Sequence, residues 1–99
     1  MPEFSHPFGV KKCEQKLSQE ELIRAVRFSI ASEFEAIQIY EEIAESIDNE
    51  DAKKLMLDIA DEEKEHVGEF LHLLNLLAPN EEKFYKDGKK EASELLKEK

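Results

Sequence analysis

Between Ile23 and Leu77 the chain carries two apolar series whose spacing leaves little choice of fold. In the first, Ile23, Val26, Ile30, Glu33, Ile37, Tyr40, Ala44 and Ile47 follow at intervals of 3, 4, 3, 4, 3, 4 and 3. In the second, Ala52, Met56, Ile59, Glu63, His66, Phe70, Leu73 and Leu77 follow at intervals of 4, 3, 4, 3, 4, 3 and 4. Alternating steps of three and four keep every member on one stripe of an α-helix. Two such stripes side by side make the seam of a nearly antiparallel helix pair. The composition agrees, with only 3 Gly and 3 Pro among 99 residues rich in Glu, Lys, Leu, Ile and Ala.

Local signals place the helix ends. Ser18 and Glu21 form an S-x-x-E capping box, with Leu17 and Leu22 spaced as a hydrophobic staple. The first helix is expected from about Gln19 to Ile47. The run "DNED" at 48–51 then supplies a tight turn and an N-cap, Asp48 or Asn49. A second helix is expected to reach about Leu77, where Pro79 cannot continue the hydrogen-bond ladder. A weaker amphipathic segment follows over 81–98, with Phe84, Ala92, Leu95 and Leu96 as its apolar residues and Gly88 as a place for a break. Residues 1–17 show no period and contain Pro2, Pro7 and Gly9, which reads as an extended arm. The expectation is an all-α chain: an arm over 1–17, a helical hairpin over 18–78 and a short C-terminal helix over 79–99.

The formal net charge is −10, and 38% of residues are charged. So acidic a surface repels nucleic acid and anionic membranes and attracts cations. No apolar run is long enough to span a bilayer. The first residues lack the basic start, apolar run and small-residue cleavage site of a secretory signal. The one cysteine, Cys13, has no partner for an internal disulfide. These features together read as a cytoplasmic protein.

Each apolar stripe has a polar interruption near its middle: Glu33 in the first, Glu63 and His66 in the second. A chain folded back at 48–49 brings together residues whose numbers total about 97, so Glu33 lies level with Glu63 and His66. Glu63 and His66 are three apart and share a helix face. Carboxylates in a buried stripe are costly unless something pairs with them. A divalent metal would satisfy all three groups; so would a buried Glu–His ion pair with one further Glu at its edge. Two other Glu-x-x-His pairs exist. Glu3 and His6 fall in the arm, and Glu69 and His72 are rotated off the seam, where solvent accounts for them. Tyr40 lies one heptad after Glu33, either as a core aromatic or as a residue supporting the metal.

One hairpin carries one Glu and one Glu-x-x-His. Di-iron carboxylate bundles use two of each. The chain therefore holds half a site, and also half a bundle, since two helices bury too little apolar area to stand in water. A symmetric dimer supplies both missing halves.

The segment "SEFEAIQIYEEIAESIDNEDAKKLMLDIADEEKEHVGEF", with Glu33-x-Glu35-Ala36, Tyr40 and Asp61-Glu62-Glu63-Lys64-Glu65-His66, resembles the encapsulated ferritin family, a ferritin-like group related to the rubrerythrins. The resemblance covers about residues 18–77. It implies a two-helix hairpin with a short third helix, which builds a ferritin-like four-helix bundle only on dimerisation. It implies a ferroxidase: two iron ions per dimer, bound by Glu33, Glu63 and His66 of each chain, pass electrons to O₂ or peroxide. It further implies a decamer of five dimers, an encapsulin shell as a surrounding partner, and a role in iron storage or detoxification. Glu35 matches half of the family's acidic entrance for iron; Ser32 stands where relatives often have a second acidic residue, and Ile39 where they often have Trp. Family members carried as cargo end in a shell-docking tail, which "ELLKEK" does not resemble. The neighbouring expectations are a rubrerythrin-like peroxidase, for which no paired cysteines are present, and a non-catalytic module clamped by metal.

Overall fold

The computed structural model describes residues 15–98. It contains three helices, α1 (Gln19–Glu45), α2 (Glu50–Leu77) and α3 (Pro79–Leu95), and no strand among the described residues. Most of the expected arm, including Glu3, His6 and Cys13, lies outside them.

The capping signals form as expected. The Glu21 N–H donates to Ser18 Oγ at 3.2 Å, and the Ser18 N–H donates to Glu21 Oε1 at 2.9 Å. At α2 the cap is Asn49, whose Oδ1 accepts from the Ala52 N–H at 2.9 Å. α1 ends at Glu45, two residues before the expected Ile47. The Ser46 N–H closes on the Ile43 carbonyl at 3.0 Å, and Ser46 Oγ donates to the Glu42 carbonyl at 2.8 Å. Pro79 both stops α2 and opens α3, where its missing N–H would have had no helical acceptor. α3 consequently starts ahead of residue 81, and Gly88 does not interrupt it.

α1 and α2 pack along their length, and the core is Val26, Ile37 and Ala44 against Ala60, Val67 and Leu74. This corrects the expected stripe of α2. Ile59, His66 and Leu73 are not buried in the helix interface; their successors Ala60, Val67 and Leu74 are. The apolar face of α2 is three positions wide, as in a helix that meets two neighbours. Small Ala60, with no exposed area, lets the helices approach, and the wider flank holding Ile59, His66 and Leu73 stays open.

α3 has no buried residue. It packs on the end of α2 and is tied to α1 by an Arg27–Glu81 ion pair, with the Tyr85 hydroxyl donating to the same Glu81 carboxylate. Against six buried apolar residues, thirteen large ones are exposed among the described residues, Phe34, Leu55, Leu76, Phe84, Leu95 and Leu96 by more than half. A single copy leaves apolar surface of the kind that marks an interaction site.

Candidate metal centre

The fold brings Glu33 of α1 beside Glu63 and His66 of α2. His66 Nδ1 lies 3.0 Å from Glu33 Oε2 and 3.5 Å from Glu63 Oε1. One ligand atom from each residue falls within 4.8 Å of the others. Metal bonds to imidazole and carboxylate of about 2.0–2.2 Å put two donors on one ion at most about 4.4 Å apart. The trio therefore fits a divalent ion after a small closure. Two hard carboxylates and one imidazole suit iron, manganese or zinc.

The centre is more open than a buried stripe implies. The Glu33 and Glu63 side chains are 19% and 17% exposed, and that of His66 is 48% exposed. Among the described residues no charged side chain is fully buried. The reason is the rotation of α2: Glu63 sits near the seam, whereas His66 stands on the open flank beside it.

The crowding of the three groups raises the proton affinity of two of them. The Glu63 carboxyl is pushed above its usual range by a hydrogen bond shared with Glu33, by desolvation and by the Glu33 charge, against a smaller opposing effect of His66. The His66 imidazole is raised chiefly by its hydrogen bond to Glu33, against desolvation, with help from the charges of Glu33, Glu63 and Glu69. Both shifts describe carboxylates crowded enough to want a cation.

Glu35 and Tyr40 are half-buried on α1 and stand outside this group of donors. His72 is exposed and also lies apart. Glu69 does not: with Glu33, His66, Phe70 and Leu73 it lines an open hollow of about 410 Å³. Reading the seam as two positions wide hid this, because a three-position face puts Glu69 on its rim. On the opposite flank Lys64 Nζ lies 3.1 Å from Glu41 Oε2 and 3.2 Å from Asp61 Oδ1, a cross-helix ion pair that the sequence signals only by the Asp61, Lys64 spacing.

A long two-helix hairpin with an inward carboxylate on one helix and Glu-x-x-His on the other defines a ferritin-like protein. Residues 25–98 match the rubrerythrin family. The ferritin-like–encapsulin shell fusion protein of Pyrococcus furiosus is 40% identical over 82 residues, 83% of this chain and 24% of that one. The encapsulin nanocompartment cargo protein EncC of Myxococcus xanthus is 37% identical over 67 residues, 68% of this chain and 52% of that one. The crystal structure of the encapsulated ferritin domain from Pyrococcus furiosus superposes with a TM-score of 0.83 at 37% identity, covering 93% of this chain and 94% of that one. This chain belongs to the rubrerythrin family, among its encapsulated ferritins. It spans about a quarter and about half of the two curated relatives. No helix of the described residues is long and apolar enough to cross a membrane.

Proposed function

We propose that this protein is a ferroxidase that oxidises Fe(II) to Fe(III) at a di-iron site shared by two copies. The observation that carries the reading is the convergence of Glu33, Glu63 and His66 on an open flank of the hairpin. Three donors on a surface leave most of a metal's coordination to another molecule. A second hairpin on that flank would bring the same three donors and cover the apolar residues beside them, Ile59 and Leu73. Fe(II) is the substrate. Glu33 and Glu63 neutralise its charge and stabilise the ferric product more than the ferrous one; His66 supplies a nitrogen donor and orients the pair. Each Fe(II) gives up one electron, and O₂ or peroxide takes them in pairs.

The reading extends to larger assembly, with five such dimers in a ring, and to enclosure in an encapsulin shell in the cytoplasm; the names of the relatives support the shell, and the exposed apolar surface supports association. In this reading the chain oxidises iron and a surrounding shell keeps the product. The test is to mix the protein with Fe(II) in air and follow ferric absorbance. Oxidation well above the buffer rate, with one iron per chain reacting first, is expected. Metal binding without any acceleration would leave only a structural, metal-clamped role. Replacing O₂ by peroxide as the oxidant separates a ferroxidase from a peroxidase.

A further inference from the structure

The outer side of α1 carries a second hollow, of about 410 Å³, lined by Arg24, Arg27, Phe28 and Ala31. Arg24 and Arg27 are the two arginines of the chain, and both stand on it. Ala31 is small, so the larger residues around it form the walls. Phe34, more than half exposed, continues the apolar floor one turn further along the helix. Arg27 is tied to Glu81 of α3. Arg24 is exposed and enters no hydrogen bond or ion pair among the described residues. At about 100° per residue, Ala31 lies roughly 160° round α1 from Glu33. Pairing through the flank that holds Glu33 and His66 therefore leaves this hollow open. A guanidinium beside an aromatic ring suits a further aromatic side chain, which stacks on the cation and packs on the ring.

The chain carries that chemistry a short way before α1, as Phe4 and Phe8 of "PEFSHPFGVKK". Arg24 to Ala31 lie about 9 to 20 Å along the helix axis from Ser18, at 1.5 Å per residue. The chain from Ser18 back to Phe8 spans up to about 33 Å when extended. That is enough to reverse direction and reach the hollow, and Phe4 has the further length to reach Phe34. Pro2 and Pro7 each fix a backbone angle, which lowers the ordering cost of docking. Charge acts in the same sense. Residues 1–12 carry Lys11 and Lys12 against Glu3 in a chain of net charge −10, and α1 opens on Glu20 and Glu21. We propose that the hollow seats the segment of the same chain that precedes α1, with Phe8 between Arg24 and Phe28 and Phe4 toward Ala31 and Phe34. The docked segment covers the side of α1 that pairing through the metal flank leaves bare, and it does so whether or not the centre binds metal.

Trypsin cutting after Lys11 and Lys12 reads the fraction of copies in which the segment is undocked. The full chain is compared with a Phe4→Ala, Phe8→Ala double variant, whose helices are untouched. Cleavage is expected to be at least about tenfold faster in the variant, since two aromatic contacts are lost. Equal rates would overturn the proposal. A second measurement shows which chain supplies the segment. Cys13→Ser removes the native thiol, and Ser5→Cys is combined with Ala31→Cys or, as control, with Gln38→Cys, also exposed and about 10 Å further along α1. Under mild oxidation the pair with Ala31→Cys is expected to close faster than the control and within one chain, as read on a denaturing gel. Equal closing rates at the two positions would overturn the proposal. Bonds between chains would also overturn it, by giving the hollow to the segment of a second copy.

Discussion

Consecutive residues of α2 lead to opposite flanks of the hairpin, and the two flanks treat their carboxylates differently. On one, Lys64 sits between Glu41 of α1 and Asp61 of α2, close to both. On the other, Glu33 of α1 and Glu63 of α2 approach with only His66 between them. Both arrangements join the helices at neighbouring levels. The lysine flank is complete in itself, because the cation is covalently supplied. The histidine flank has no such fixed cation, and its crowded carboxylates raise the proton affinities of Glu63 and His66 instead. A chain with a net charge of −10 thus leaves one cross-helix pair of carboxylates without a lysine. That lack, more than acidity in general, singles out the centre.

The sharpest way to break this comparison is to remove a donor from each flank. His66→Ala or Glu63→Ala should lower Fe(II) oxidation by at least about 100-fold, more than the loss of an outer supporting contact costs a metal site. Lys64→Met should leave the rate within a small factor, and circular dichroism should show unchanged helicity in all three variants. Parent-like oxidation in His66→Ala would remove the histidine flank from the mechanism.

Metal-linked pairing gives the next largest effect. If the histidine flank is completed by a second copy, a metal at about 100 times its dissociation constant favours the dimer by about 2.7 kcal/mol per site. Native mass spectrometry with and without Mn(II) should show that shift in the parent and not in Glu33→Ala. A monomer that binds Mn(II) with undiminished affinity would separate the site from assembly.

Acidification should then distinguish the flanks by sign. Without metal, His66 contributes stability below its ordinary pKa of 6.5, and this is lost as pH rises through its higher folded value. The folded state also holds the Glu63 proton more tightly than an unfolded chain does, from 4.5 up to its raised value. Both make the metal-free protein less stable as pH climbs from mildly acidic to alkaline. Metal must displace the same protons, so its affinity rises over that range. Thermal melts at pH 6 and pH 8 should therefore rank oppositely with and without Zn(II). Glu33→Gln should abolish most of the reversal, whereas Glu41→Gln should keep it.

Much of this was legible in the sequence because it depends on local rules. The Ser18–Glu21 box, the Asn49 cap and Pro79 fix the ends of α1 and α2, and the 3–4 spacing puts Glu33 level with Glu63 and His66. The rotation of α2 was not legible. Ile59 and Ala60, like Leu73 and Leu74, are adjacent apolar residues, and a spacing pattern cannot tell which meets α1 and which waits for a neighbour. The answer lies in size, since Ala60 permits the close approach and Ile59 does not. That one-residue rotation is what exposes His66 and draws Glu69 into the hollow. The Arg27–Glu81 link was equally hidden, for it joins helices far apart in sequence and depends on the angle at which α3 leaves Ala78.

The smallest effect concerns Gly68, in the middle of α2 and one turn from both Lys64 and Leu71. A glycine inside a helix costs about 0.8–1.0 kcal/mol relative to alanine, because its backbone is freer when unfolded. A Cβ added at Gly68 would meet nothing within 4 Å, so the hairpin itself gives no steric reason for the glycine. Gly68→Ala should accordingly stabilise the metal-free chain by roughly 0.5–1 kcal/mol, raising its melting midpoint by about 2–8 °C for a domain of this size. Since Gly68 neighbours the lysine flank, pairing through the histidine flank should be untouched, and the Mn(II)-linked shift toward dimers should match the parent. The combination is informative because its halves are independent. Stabilisation with intact pairing leaves the lysine flank as inert surface. Stabilisation with weakened pairing would show that a second backbone comes close to Gly68, and the two flanks would then share the work of assembly.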